Sequence, residues 1–143
     1  MDKGKCRVGM LGEGKIYRRR DLHSKLGGQQ QSGISTPSQY PVIMIFSGES
    51  GKNYGYKDGW QENDVYYYTG EGQEGDMKFT KGNKAIRDHL LNRKDIWLFK
   101  NHKPGLVKFV GKMICTGDHH RTAPDRNGHN REAIIFELIL KKK

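Results

Sequence analysis

Tyr56, Asp58 and Tyr68 are the residues whose types and spacing point most directly to chemistry. Two tyrosine rings can stack on the faces of one flat heterocycle, each contributing about 1–3 kcal/mol by analogy with single-strand binding sites. A carboxylate between them can accept a hydrogen bond from an exocyclic amine, which cytosine and adenine carry and thymine lacks. Trp60 adds a further aromatic face, and the backbone of Thr69 and Gly70 can complete the reading of a Watson–Crick edge. Together these residues describe a pocket for one extruded DNA base, whose unstacking costs a few kcal/mol that the pocket must return. The competing reading is structural: tyrosines are good strand formers, and Asp58-Gly59 is a turn dipeptide. The clustering favours the pocket, because the stretch from Ile45 to Asn83 holds five of the seven tyrosines.

A base reader must also grip the duplex, and the charge is distributed for that. The net charge is +10 over 143 residues, yet residues 37–99 hold eight Lys/Arg against nine acids. Residues 1–36 hold eight against three, and residues 100–143 hold ten against four. Basic flanks around a neutral aromatic centre suit a polyanion held by its phosphates and inspected at a base. The phosphate-contact candidates are Arg18, Arg19, Arg20 and His23, then Lys84 and Arg87, then Arg121 and Arg126, with Arg131 beside them. Gln29, Gln30 and Gln31 sit in an uncharged Gly-rich stretch, 27–37, that reads as a linker. Their amides suit reading base edges or filling the gap left by a flipped base.

The elements that must position these groups are mostly strands. Tyr40–Phe46 is apolar throughout, as a strand buried on both faces would be. Val65–Tyr68, Ile96–Phe99, the alternating Val107–Cys115, and Ala133–Leu140 give four more. Thr116–Arg131 reads as a long polar loop with a tight turn at Asn127-Gly128. A short helix is expected after Arg20, with Asp21 as its N-cap and Gly27 at its end. A second is expected over Asn83–Asn92, with Ile86 and Leu90 facing the core and Arg87 outward. Residues 1–14 form a lead-in and 141–143 a basic tail. The sum is one α+β domain, β-rich, folded as a closed or nearly closed barrel with one or two short helices.

Several motifs resemble a known family. Tyr56-Lys-Asp58, then Tyr66-Tyr-Tyr68-Thr69-Gly70-Glu-Gly72, then Lys81-Gly-Asn83-Lys-Ala85-Ile86, are similar to the core of the SRA (SET- and RING-associated) domain. Tyr17-Arg-Arg-Arg20-Asp-Leu-His23, Gly27-Gly-Gln-Gln-Gln31, Gly33-Ile34 and Tyr54-Gly-Tyr-Lys-Asp-Gly-Trp60 more closely resemble the SRA-like domains attached to bacterial HNH restriction endonucleases of the ScoMcrA kind. The likeness runs over residues 15–140. It implies a PUA-like barrel that flips a modified cytosine, 5-methyl- or 5-hydroxymethylcytosine, out of double-stranded DNA. It also implies that Tyr56 and Tyr68 sandwich the base, that Asp58 binds its edge, and that Thr69 and Gly70 line the pocket. The aspartate follows the tyrosine by two residues, whereas animal SRA domains space them three apart. Gln73 stands where those domains have a second turn glycine.

On this reading the chain is a non-catalytic reader with no cofactor and no metal. Its partners are modified duplex DNA and an HNH nuclease domain or subunit elsewhere. Other classes remain open. A pocket close to the backbone suits phosphorothioate DNA, and a PUA-like barrel with this charge suits RNA. His119, His120 and His129 invite an HNH metal-nuclease reading, which lacks the helix that motif needs after its hairpin. Cys6 and Cys115 have no CxxC spacing and read as reduced thiols of a cytoplasmic protein. No apolar run reaches the roughly 20 residues that span a bilayer, and the N-terminus has no apolar signal region.

Overall fold

Val42–Ser47 is buried at every position because both of its faces are covered. The computed structural model describes residues 11–30, 32–48 and 58–141 and shows what covers them. The elements are β1 (Ile16–Arg18), α1 (Arg19–Leu26), β2 (Ile34–Ser35), β3 (Val42–Ser47), β4 (Gly59–Trp60), β5 (Tyr66–Thr69), α2 (Lys81–Arg87), β6 (Asp95–Lys103), β7 (Leu106–Pro124) and β8 (Asn130–Leu140). Eight strands form one sheet in the order β2-β3-β6-β7-β8-β5-β4, with β1 paired to β7. All pairs are antiparallel except β3 with β6.

Alternation along the strands divides the apolar residues into two layers. Ile43, Ile45, Tyr66, Tyr68, Ile96, Leu98, Met113 and Phe136 fill one, closed by Ile86 of α2. Met44, Phe46, Trp97, Phe99, Val107 and Phe109 point the other way and are covered by Leu22 and Leu26 of α1. Burying side chains of this size gives about 1.5–3 kcal/mol each relative to exposure, which is what holds α1 to the sheet.

Among the described residues the barrel does not close. The end strands β2 and β4, two residues each, are not paired with one another among the described residues. Side chains span the seam instead: the Tyr68 hydroxyl donates to the Gly33 carbonyl at 3.0 Å, and the Tyr66 hydroxyl donates to Ser47 Oγ at 2.8 Å.

Other boundaries also differ from expectation. The anticipated polar loop over 116–131 is mostly strand, since β7 runs to Pro124 and pairs with β8 through Pro124↔Asn130. Only the tip turns, with Gly128 at φ 84° as the Asn-Gly dipeptide predicts. The helix at 83–92 is shorter and earlier, Lys81–Arg87, so Leu90 lies beyond it and is exposed rather than in the core. Helix α1 begins at Arg19, which places Asp21 in its first turn and not at its N-cap. The 27–37 stretch is no loose linker, because it carries β2 and is fastened at several points described below.

Candidate functional site

The carboxylate of Asp58 sits one residue before β4, half-buried at the open seam. Its Oδ1 accepts from the Thr69 backbone N–H at 2.8 Å, and its Oδ2 accepts from Ser47 Oγ at 3.0 Å. Ser47 in turn accepts the Tyr66 hydroxyl. Burial pushes the Asp58 carboxyl above the usual carboxylate range, and the bonds from Thr69 and Ser47 oppose that rise. An ionised carboxylate has about four lone-pair positions. With a further bond from the Thr69 side chain, these bonds orient Asp58 and, among the described residues, do not fill all four.

Three aromatic residues lie on the adjoining strands β4 and β5. Trp60 pairs with Tyr66 across β4 and β5, and their rings meet edge to face at 5.3 Å. Trp60 is 43% exposed, so one large ring stands at the mouth of the seam. Tyr66 is fully buried, and burial pushes its hydroxyl pKa up to about 12. Tyr68 is also a core residue, its hydroxyl held by the carbonyls of Gly33 and Phe46, and burial again raises its pKa. Tyr56 and Gln31, both singled out from the sequence, lie outside the described residues.

The turn after β5 is fixed by α2. Asn83, 2% exposed, accepts from the Glu71 N–H at 2.9 Å and donates to the carbonyls of Glu71 and Lys78 at 2.9 Å. A side chain on Gly70 would meet Asn83 Oδ1 at 2.7 Å. Glycine is therefore required at 70 by close packing against Asn83, and Thr69 is held in place for its bond to Asp58.

Arg19 fastens the glutamine-bearing loop. Its guanidinium lies 3.6 Å from the centroid of the Phe46 ring and donates to the carbonyls of Gln29 and Ser32. Its Nε donates to His23 Nε2 at 3.0 Å, and His23 Nδ1 lies 2.9 Å from the Gly27 carbonyl. That pattern needs a neutral ring protonated on Nδ1, and burial lowers the His23 pKa accordingly. Gln29 spends its amide on Thr36, accepting from the Thr36 N–H at 2.8 Å. Gln30, Arg18 and Arg20 are exposed.

The remaining candidates are dispersed. Lys84 and Arg87 are exposed on α2, with Arg87 paired to Asp88 and lying over Phe79. Arg121 lies over the Tyr67 ring at 5.6 Å. Arg126 donates to Gln73 Oε1 at 2.6 Å and ties the β7–β8 tip to the 73–75 loop. Arg131 is not available to phosphate: it is buried and donates to the Gly75 carbonyl at 2.8 Å. Asp125 closes the same junction, accepting from the N–H groups of Gly75, Asn127 and His129, which hold its pKa low. His119 and His120 are consecutive strand residues and diverge, the first to Glu137 at 2.6 Å and the second toward Phe79. Among the described residues no group of three His, Cys, Asp or Glu side chains is placed to hold a metal.

Ser47, Tyr66 and Asn83 are the site residues that sequence reasoning passed over as site members. Asn83 sat within a quoted motif, and Tyr66 within the tyrosine run. Ser47 carried no signal, being one serine at the end of an apolar strand.

The sequence profile of the ScoMcrA-like SRA domain matches residues 12–141. No curated protein matches the sequence significantly. The fold is similar to that of the sulfur binding domain and SRA domain of ScoMcrA complexed with phosphorothioated DNA, with TM-score 0.74 and 21% identity, over 93% of this chain and 40% of that one. It is also similar to the SUVH5 SRA domain in complex with hemi-methylated CG DNA, with TM-score 0.68 and 21% identity, over 94% and 91% of the two chains. The SUVH5 SRA domain bound to fully hydroxymethylated CG DNA gives TM-score 0.67 at 21% identity, over 95% and 93%. This chain spans 40% of the two-domain ScoMcrA chain and 28% of the chain in the structure of the type IV phosphorothioation-dependent restriction endonuclease ScoMcrA. With the match running from the end of the lead-in to the last strand, the chain belongs to the ScoMcrA-like SRA domain family.

Proposed function

We propose that this domain binds double-stranded DNA and reads a modified cytosine, 5-methyl- or 5-hydroxymethylcytosine, turned out of the duplex toward Asp58. The observation that carries this reading is the Asp58 carboxylate, oriented by Thr69 and Ser47 with acceptor capacity left among the described residues, two positions before the exposed Trp60. A fixed acceptor in a half-buried site discriminates for an exocyclic amine, a contact worth about 1–3 kcal/mol against the wrong base. Tyr56 and Tyr68 would sandwich the base. Exposed Arg18, Arg20, Lys84 and Gln30 would bear on the duplex around the site, and Arg19 would act through the loop it holds. The domain would serve as the non-catalytic reader of a modification-dependent restriction system, with an HNH nuclease on another domain or subunit.

A comparison of modified and unmodified duplexes by fluorescence anisotropy at moderate salt tests this. At least tenfold tighter binding of the modified duplex is expected, and equal affinity sinks the reading. The second reading, phosphorothioate recognition, is favoured by the phosphorothioated DNA in the similar ScoMcrA complex. In that complex a sulfur binding domain is named beside the SRA domain, and the profile match here is to the latter. Competition with an unmethylated phosphorothioate duplex separates the two.

A further inference from the structure

Lys100 of β6 and Lys108 of β7 are direct cross-strand partners, and Lys100 is at the same time the partner of Ser47 on β3. The row Ser47–Lys100–Lys108 therefore crosses three strands, placing the lysine backbones about 5 and 10 Å from the serine that orients Asp58. All three side chains share a face. Phe46, Phe99, Val107 and Phe109 point to the α1 layer, so the intervening Ser47, Lys100 and Lys108 point to the opposite side. That is the side of Tyr66, whose hydroxyl reaches Ser47. Two residues further along, Lys103 and Arg18 both pair with Leu106 and extend the same basic face.

Like charges placed directly opposite each other in a sheet are destabilising. Both lysines are exposed, and among the described residues neither has an ion-pair partner. The arrangement is a standing repulsion beginning one strand away from the candidate base site. A phosphodiester lying between the two ammonium groups would relieve it. A flipped base remains covalently joined to its own phosphates, so the backbone of the strand that supplies the base must pass close to the mouth of the pocket.

We propose that Lys100 and Lys108 clamp the phosphodiester of the nucleotide whose base enters the Asp58 site. The clamp rests on the reading of that site given above. It supplies affinity and register, whereas Asp58 supplies recognition of the base edge.

The test is a double variant, Lys100→Gln with Lys108→Gln, titrated with modified and unmodified duplexes over a range of salt. Removing one lysine–phosphate interaction lowers the slope of log K against log salt by about 0.9, so the expected reduction for two is about 1.8. Affinity should fall for both duplexes while their ratio is kept, and the melting temperature of the free domain should hold or rise. Lys94→Gln, beside the opposite end of β6, is the control and should leave the slope unchanged. An unchanged slope in the double variant overturns the clamp, as does an equal loss in the control. Failure of the base-reading proposal shows elsewhere, as wild-type protein that binds both duplexes equally.

Discussion

Asp58 accepts the backbone N–H of Thr69 at 2.8 Å, and Thr69 is the last residue of β5 before a turn clamped by α2. The position of the Asp58 carboxylate thus depends on α2 through Thr69 and the turn after it. Asp58→Asn keeps an oxygen for Thr69 but turns the second acceptor into a donor. Affinity for the modified duplex should fall about 10- to 100-fold, with weak salt-sensitive binding retained, because the lost acceptor serves the N4 amine of the bound base. Anisotropy titrations of both duplexes check this. Acid should act in the same direction: burial raises this carboxyl, so binding should weaken as pH falls through its raised value, at a pH above that of ordinary aspartates. The stability linkage has the opposite sign. The contribution of a raised carboxyl is fully present below its ordinary value and is lost as pH rises through the folded one.

Gly70 and Asn83 should behave as a coupled pair. Gly70→Ala drives a methyl onto Asn83 Oδ1, and Asn83→Ala removes three hydrogen bonds of 2.9 Å. Each should cost about 1–3 kcal/mol in urea denaturation. The double variant should cost clearly less than their sum, since the second change removes the atom that the first one strikes.

Tyr68 offers two distinct substitutions. Tyr68→Phe loses the bonds to Gly33 and Phe46 and should cost about 1 kcal/mol. Tyr68→Ala empties a fully buried position and should cost about 3–5 kcal/mol. Loss of DNA binding by the alanine variant is therefore interpretable only beside its melting curve.

Acid should loosen the loop that Arg19 holds. His23 has a pKa below its ordinary 6.5 because of burial, so its neutral form stabilises the fold above that value. That contribution is lost as pH falls through the folded pKa. Protonated Nε2 no longer accepts from Arg19, and the amides of 27–33 should exchange faster at pH 5 than at pH 7.5 after correction for intrinsic rates. His23→Gln should abolish the difference.

Cys115 should be a poor nucleophile. Burial pushes its thiol up to about 11 from 9.0, so its thiolate fraction near pH 8 is about 100-fold below that of an ordinary thiol. Iodoacetamide labelling followed by peptide mass spectrometry should show Cys115 modified at that slower rate.

Much of the fold could be read from alternation, but only where one face was apolar. Val107–Cys115 shows that pattern, whereas the continuation of β7 through Thr122 is itself polar on both faces, the apolar residues lying on its partner, where Ala133–Phe136 of β8 pair with Asp118–Arg121. Backbone pairing without a hydrophobic stripe leaves no mark in composition. Leu90 follows Ile86 at helical spacing, yet the helix ends at Arg87 and the periodicity carries no further. At the site, Asp58, Thr69 and Gly70 were legible as a group because they share one short stretch. Ser47 was not, since its role arises from the seam between β3 and β5, a relation that no local pattern encodes.

The parallel pairing of β3 with β6 has a consequence for the order of events during synthesis. Asp58, Trp60, Tyr66, Thr69 and Asn83 all lie on the connection between those two strands. Parallel partners separated by so much chain join late, because closing the intervening loop costs entropy before any contact rewards it. A nascent chain that has not yet emitted β6 cannot hold Ser47 against Lys100. The frame that brings Ser47, Asp58 and Thr69 together is therefore completed only once the chain has been made through β6.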